Sequence, residues 1–222
     1  MRKPTLVHRL RQMISALGRT RMFTRYYDKN HWADPESRSG PGSRQNSPQV
    51  RHALLTLSAI TEQYGIRTLA DIPCGDFNWI GTYLSAWPGV GYIGFDIVAK
   101  LVKQNQMTFP DRQFARLDIV VDVPPPSDLI FCKDLLNHLE AGEIVQAIAN
   151  MRRSGSKYLL ASNNFGYVNE EMTRSRYVSS RHVDLTMAPF HYPRPIWHDH
   201  YLGLWRLADL ERKPDIFVNK SP

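Results

Sequence analysis

Cysteine is almost missing from this sequence: Cys74 and Cys132 are the two in 222 residues, and no CxxC pair exists. A disulfide framework and a cysteine zinc site are therefore not expected, and a reduced, cytoplasmic protein is. Long apolar runs are also missing. No window approaches 18 uninterrupted apolar residues, so no transmembrane helix is expected. Charges interrupt the apolar positions near the amino terminus and no small-residue cleavage site follows, which argues against a secretory signal. The third absence is local: residues 1–27 contain no acid.

That third absence locates the net charge of +7. Arg2, Lys3, Arg9, Arg11, Arg19, Arg21 and Arg25 supply all of it, and the remaining residues balance 21 basic against 21 acidic side chains. A nucleic-acid enzyme carries its basic footprint on the folded domain. Basicity confined to an arm argues against a DNA or RNA substrate. Within residues 1–27, Leu6, Val7, Leu10, Met13, Ile14 and Leu17 recur at helical spacing, which predicts a basic amphipathic helix ending near Gly18. Such a helix suits an anionic membrane surface. It equally suits capping the domain or packing on a partner.

Residues 28–48 are rich in turn formers, Asp34-Pro-Glu-Ser-Arg-Ser-Gly-Pro-Gly-Ser43. The composition fits a plain linker, and also a loop whose backbone N–H groups accept a carboxylate or phosphate. From residue 49 to 222 the pattern is that of the main domain. Val50, Leu54, Leu57, Ile60 and Tyr64 predict a helix ended by Gly65. Strands are expected at 68–72, 91–96, 114–118, 128–132 and 158–162, with helices from about Asn78, over 99–107 and over 141–153. This alternation specifies an α/β, Rossmann-like fold, a mostly parallel sheet with helices on both faces. Pro189, Pro193 and Pro195 then break the chain before Tyr201–Leu207 alternates like a strand, an antiparallel edge or hairpin.

Ligands of open parallel sheets bind outside the carboxyl ends of the strands. Asp71, Asp96, Asp118 and Asp134 stand at or just past four such ends, with Asp76 in the first turn. Carboxylates along one edge repel, so something must offset their cost. Gly75 permits close backbone approach to a ligand. Asp96 follows it by 21 residues, the spacing at which a second-strand acid reaches ribose hydroxyls. Asp118 with Ile119 suits an adenine amino group and ring, and Asp71 with Asp76 suits a cationic amine. A dinucleotide site needs GxGxxG, whereas an acid at Asp76 would repel pyrophosphate.

Asp71-Ile-Pro-Cys-Gly-Asp-Phe-Asn-Trp79, Tyr92-Ile-Gly-Phe-Asp-Ile97, Phe114-Ala-Arg-Leu-Asp118 and Asp128-Leu-Ile-Phe-Cys-Lys-Asp134 resemble motifs I to IV of the class I S-adenosylmethionine-dependent methyltransferases. The resemblance is narrower to a bacterial branch with a PCGDFNW first motif, an upstream Ser39-Gly-x-Gly-Ser43 loop and a closing Gly203-Leu-Trp-Arg-Leu207 strand. It implies a seven-stranded sheet with an antiparallel final strand, and S-adenosylmethionine as cofactor. It further implies a cofactor site drawn from Trp32, Ser43, Asp71, Pro73, Cys74, Gly75, Asp76, Trp79, Asp96, Ile97, Asp118, Ile119 and Lys133. The departure is that Pro73 and Phe77 replace the outer glycines of the wider superfamily's first motif.

The resemblance also places the segment after the fourth strand beside the methyl group. Asp134 and His138 are the candidate catalytic residues, since either suits taking a proton from an acceptor. His138 equally suits a hydrogen-bonded core position. His198 and His200 would share a strand face, a metal-pair pattern without evident partner ligands, so no metal is expected. With Arg181, Tyr192 and Trp197 they suit an acceptor pocket or lid. Trp87 and Trp205 suit the core. The expected function is methyl transfer to a small-molecule or glycan hydroxyl, with no nucleic acid and with peripheral contact at the inner membrane face through the arm. The alternative is a catalytically silent module recruited to a membrane or partner.

Overall fold

The computed structural model describes residues 6–170 and 180–211, with side chains from residue 14 onward. Arg2 and Lys3 lie outside the described residues, as do the side chains of Leu6, Val7, Arg9, Leu10, Arg11 and Met13. The chain divides into two compact units, Met1–Asp122 and Val123–Pro222.

The first unit holds α1 (Leu6–Asp28), α2 (Pro48–Tyr64), β1 (Thr68–Asp71), α3 (Ile80–Ala86), β2 (Gly91–Asp96), α4 (Ala99–Thr108) and β3 (Gln113–Arg116). β2 pairs in parallel with β1 and with β3. The amphipathic pattern of α2 buries Val50, Ala53, Leu57 and Ile60. Each large apolar side chain withdrawn this way contributes about 1.5–3 kcal/mol. Ser47 accepts from the Val50 N–H, Pro48 opens the first turn, and Gly65 closes the helix in the left-handed conformation.

α1 corrects the sequence reading, because it passes through Gly18 and ends at Asp28. A mid-helix glycine costs about 1 kcal/mol against alanine. Contacts beyond it offset that cost. Arg19 Nη2 donates to Asp118 Oδ2 at 2.8 Å, with the arginine 2% exposed. Tyr27 bonds Gln104, and Lys100 bonds Asp28. The second half of the arm is therefore part of the first unit. β3 also ends earlier than expected, at Arg116, because Val121 and Asp122 N–H groups donate back to Asp118 O and turn the chain.

The second unit holds β4 (Leu129–Cys132), α5 (Ala141–Arg153), β5 (Tyr158–Ser162), β6 (Trp197–His198) and β7 (Leu202–Arg206). β4 and β5 are parallel, and β7 is antiparallel to both β5 and β6. α5 starts on a capping box between Glu140 and Glu143 and buries Ile144, Ala147, Ile148 and Met151. The seven strands form one sheet in the order β3-β2-β1-β4-β5-β7-β6. This is the mostly parallel Rossmann-like sheet with an antiparallel final strand. The two-residue β6 makes that end of the sheet the hairpin alternative of the sequence reading, with Pro193 and Pro195 in the approach to it. No described helix is long and apolar enough to cross a membrane.

Candidate active site

The turn after β1 is built for tight local packing. Ile72–Pro73 is cis, half-buried Pro73 leads into buried Cys74, and the Cys74 N–H donates to Phe95 O at 2.8 Å. Burial, with Asp96 and Asp71 nearby, pushes the Cys74 thiol well up, so it is an inert thiol. Gly75 has φ +53°, and a Cβ there would collide with Ser39 Oγ. Gly75 thus makes room for the chain's own serine, where the sequence suggested room for a ligand. Phe77 also takes a positive φ, and its ring packs on Tyr92, Phe109 and Phe114 at centroid distances of 4.6–5.4 Å. Trp79 is buried at the start of α3.

Residues 34–47 form an ordered loop, and the plain-linker alternative falls. Asp34 Oδ1 accepts from the N–H groups of Glu36 and Ser37, while its Oδ2 accepts from Arg44 Nε at 2.6 Å. The carboxylate-accepting loop of the sequence reading is present, but the carboxylate is internal. Asp76 accepts from Ser37 Oγ at 3.0 Å, Ser39 Oγ at 3.2 Å and the Arg38 N–H at 2.7 Å. Asn78 adds a second latch, donating to Glu36 Oε1 and to the carbonyl of Ser43. Trp32 lies against Gly40, where a Cβ would stand 3.0 Å from the indole. Its ring meets Tyr26 and His31 edge to face.

The strand-end acids differ in what offsets them. Asp71 accepts from Tyr92 Oη at 2.9 Å. Asp118 is paired with Arg19, and its Oδ1 accepts from the Val120 N–H at 3.1 Å. Ile119 beside it is buried, and Ile97 is half-buried. Asp96 has no side-chain partner among the described residues. Its oxygens accept from the Val98 N–H at 2.9 Å and the Gly75 N–H at 3.3 Å. Burial pushes its carboxyl up to about 6, against the pull of those N–H groups.

The second unit gathers a different group around Asp134, which has φ +55°. Its carboxylate accepts from buried Lys133 Nζ at 2.7 Å, Tyr201 Oη at 2.7 Å and Ser162 Oγ at 3.1 Å. Burial pushes the carboxyl upward, but Lys133 and the two hydroxyls outweigh it and hold it below the usual carboxylate range. Burial and the Asp134 charge push the Tyr201 phenol far up. Ser162 and Tyr201 were missed as site residues. Ser162 ends β5, so the strand-end rule applied to all five parallel-type strands would have found it. His138 is buried at the end of a single 3-10 turn, Leu136–His138. The histidine pair is corrected: β6 stops at His198, and Asp199 Oδ1 caps the next turn by accepting from Tyr201 and Leu202 N–H groups. His198 and His200 therefore do not share a strand face. A further missed cluster joins buried Asn163 to Asp184, which also accepts from Gly166 and Thr186, and fixes the segment after β5.

No family model matches the chain. It is 30% identical over 82 residues to a trans-aconitate 2-methyltransferase of Rhodopseudomonas palustris, a match covering 33% of this chain and 32% of that protein. The match thus spans about a third of the relative's length. Among solved structures, a human N-acetylserotonin methyltransferase in complex with S-adenosylmethionine aligns with TM-score 0.49 and 14% identity, over 71% of this chain and 55% of that one. A magnesium protoporphyrin IX methyltransferase of Synechocystis, with bound S-adenosylhomocysteine, aligns with TM-score 0.44 and 18% identity, over 53% and 57% of the two chains.

Proposed function

We propose that the chain transfers the methyl group of S-adenosylmethionine to a small acceptor. The observation that carries this reading is Asp96. A carboxylate buried at a strand end, answered only by backbone N–H groups among the described residues, keeps acceptor sites that hydroxyl donors would fill. The paired hydroxyls of a ribose are such donors, and Gly75 stands at the spacing of a nucleoside-binding unit. By the chemistry of its donor set, the first unit fits the cofactor. Asp96 takes the ribose, Ile97 and Ile119 flank the base, and Asp118 accepts its amino group. Asp71 and Asp76 make the first turn electronegative, which suits a cationic methionine amine and opposes a pyrophosphate.

Bound S-adenosylmethionine supplies a methyl group activated by its sulfonium charge. The chain's part is alignment, which can supply much of the rate for such a transfer. Asp134 is held ionised by Lys133, Ser162 and Tyr201, which makes it a weak base and a firm hydrogen-bond acceptor. We assign it the task of orienting the acceptor's hydroxyl. His138, whose imidazole nitrogen can accept a proton, is assigned the proton that leaves as the new bond forms. The balanced charge of residues 28–222 favours a small-molecule or glycan acceptor over nucleic acid, and the name of the trans-aconitate relative supports the small molecule.

Calorimetry with S-adenosylmethionine and S-adenosylhomocysteine tests the reading, with binding of both expected. No heat with either ligand at millimolar concentration sinks it. Binding without turnover across hydroxylated small molecules, glycans and RNA would leave the silent module in its place.

For the arm, we infer peripheral contact with an anionic membrane. Ile14 and Leu17 are 55% and 56% exposed on α1 and share a side of the helix facing away from Arg19. Two residues turn a helix by about 200°. Co-sedimentation of the full chain with phosphatidylserine vesicles should be lost in an Ile14→Asp, Leu17→Asp variant. Equal sedimentation of both forms removes the membrane role.

A further inference from the structure

Several contacts lay α1 along the carboxyl ends of β2 and β3. Arg19 reaches Asp118 just past β3, and its Nη1 is steadied by Ser15 Oγ one turn back at 3.0 Å. Arg116, the last residue of β3, donates through Nε to the carbonyl of Ile97 and through Nη2 toward Thr20 of α1. Tyr27 and Asp28 hold Gln104 and Lys100 of α4, the helix that follows β2. Carboxyl ends of parallel strands are where ligands bind in such sheets. α1 is therefore a neighbour of that mouth.

The Arg19–Asp118 pair is more than this docking requires. A helix can dock on a domain through apolar side chains. Replacing a buried ion pair by apolar residues of similar volume is often neutral or stabilising. A buried arginine and a buried carboxylate at a strand end point to a carboxylate that is needed there and must be kept in place. Arg19 holds Oδ2 and the Val120 N–H holds Oδ1, which leaves an acceptor site on each oxygen. A carboxylate so fixed offers acceptors and no donor. It welcomes an exocyclic amine and rejects a carbonyl oxygen at the same place.

We propose that α1 is a wall of the nucleoside site, and that Arg19 sets that site's base specificity by fixing the Asp118 carboxylate as the acceptor for the purine amino group. The inference rests on the methyl-donor reading above. Arg19 is a positioning residue, acting on the ligand through Asp118.

The test is calorimetry of the full chain with S-adenosylhomocysteine and with its 6-oxo analogue, S-inosylhomocysteine. The wild-type chain should favour the amino ligand by about tenfold or more. Arg19→Met should weaken S-adenosylhomocysteine by about tenfold and collapse the preference, with Arg19→Lys restoring part of it. Equal weakening of both ligands would mark Arg19 as merely structural and overturn the inference, as would unchanged binding. If the wild-type chain binds neither ligand, the methyl-donor reading and this inference fall together. If it binds and Arg19→Met matches it, this inference alone falls. Should Arg19→Met fail to fold, hydrogen exchange on the wild-type chain decides. Amides of residues 15–27 should slow severalfold with S-adenosylhomocysteine, and unchanged exchange there overturns the wall assignment.

Discussion

Asp96 of the first unit and Asp134 of the second are both carboxylates at or just past a strand end, and they are held in opposite ways. Asp96 is buried and, among the described residues, answered only by backbone N–H groups, and burial raises it to about 6. Asp134 is surrounded by Lys133, Ser162 and Tyr201 and is held low. An acid left short of partners keeps interaction energy for a ligand. An acid already supplied with them is a fixed charge whose protonation state is settled before anything binds. Burial alone does not separate these cases; the partners do.

The sharpest way to break the comparison is Asp96→Ala. Two charge-assisted hydrogen bonds to ribose hydroxyls would be lost, so affinity for S-adenosylhomocysteine should fall about 100-fold. Calorimetry within tenfold of wild type would return Asp96 to a structural role. Next is Tyr201→Phe, which removes one donor to Asp134. It should leave S-adenosylhomocysteine affinity within about twofold while turnover falls about tenfold, measured once an acceptor is in hand. A loss of cofactor affinity instead would mean that Asp134 belongs with the binding acids.

Acid should weaken cofactor binding by a comparable amount. Hydroxyl donors favour the ionised carboxylate, so affinity should hold above pH 7 and fall about tenfold between pH 7 and pH 5, around Asp96's value of about 6. A flat profile in wild type, or the same slope in Asp96→Ala, would assign the titration elsewhere. The smallest effect is on the unliganded fold. A carboxyl raised above its ordinary value of 3.8 contributes stability below that value, and loses it as pH rises through about 6. Asp96→Asn should therefore unfold at a higher temperature than wild type at pH 8, by an amount worth about 1–2 kcal/mol, with the gap closing at pH 4. Adding S-adenosylhomocysteine should reverse that order. A gap independent of pH would mean that burial of the charge is not its source.

The elements bounded by local signals were legible in the sequence. β2, α5 and β5 fall where expected, because each pattern is closed by nearby glycine, proline or capping residues. The acidic strand ends followed from the same alternation. What was not legible is which acids already have partners. Arg19 and Asp118 are 99 residues apart in sequence, and Tyr201 and Asp134 are 67 apart. No local spacing encodes such pairs. The extension of α1 past Gly18 was hidden for the same reason, since its support comes from Asp118, Gln104 and Lys100. Asp76 was legible only in part: its acidity stands in the sequence, but the hydrogen bonds it receives from Ser37 and Ser39, nearly forty residues upstream, do not.

The two-residue β6 has a consequence for association between molecules. An open sheet exposes unpaired N–H and C=O groups along its outermost strand, a template for pairing with another chain. Here that strand is only Trp197–His198, with Pro193 and Pro195, which carry no N–H, in the approach to it. The inward groups are spent on β7, where the Ile196 N–H donates to Leu204 O and the Pro193 carbonyl accepts from Trp205 Nε1. A short, proline-flanked rim of this kind offers little template for edge-to-edge pairing.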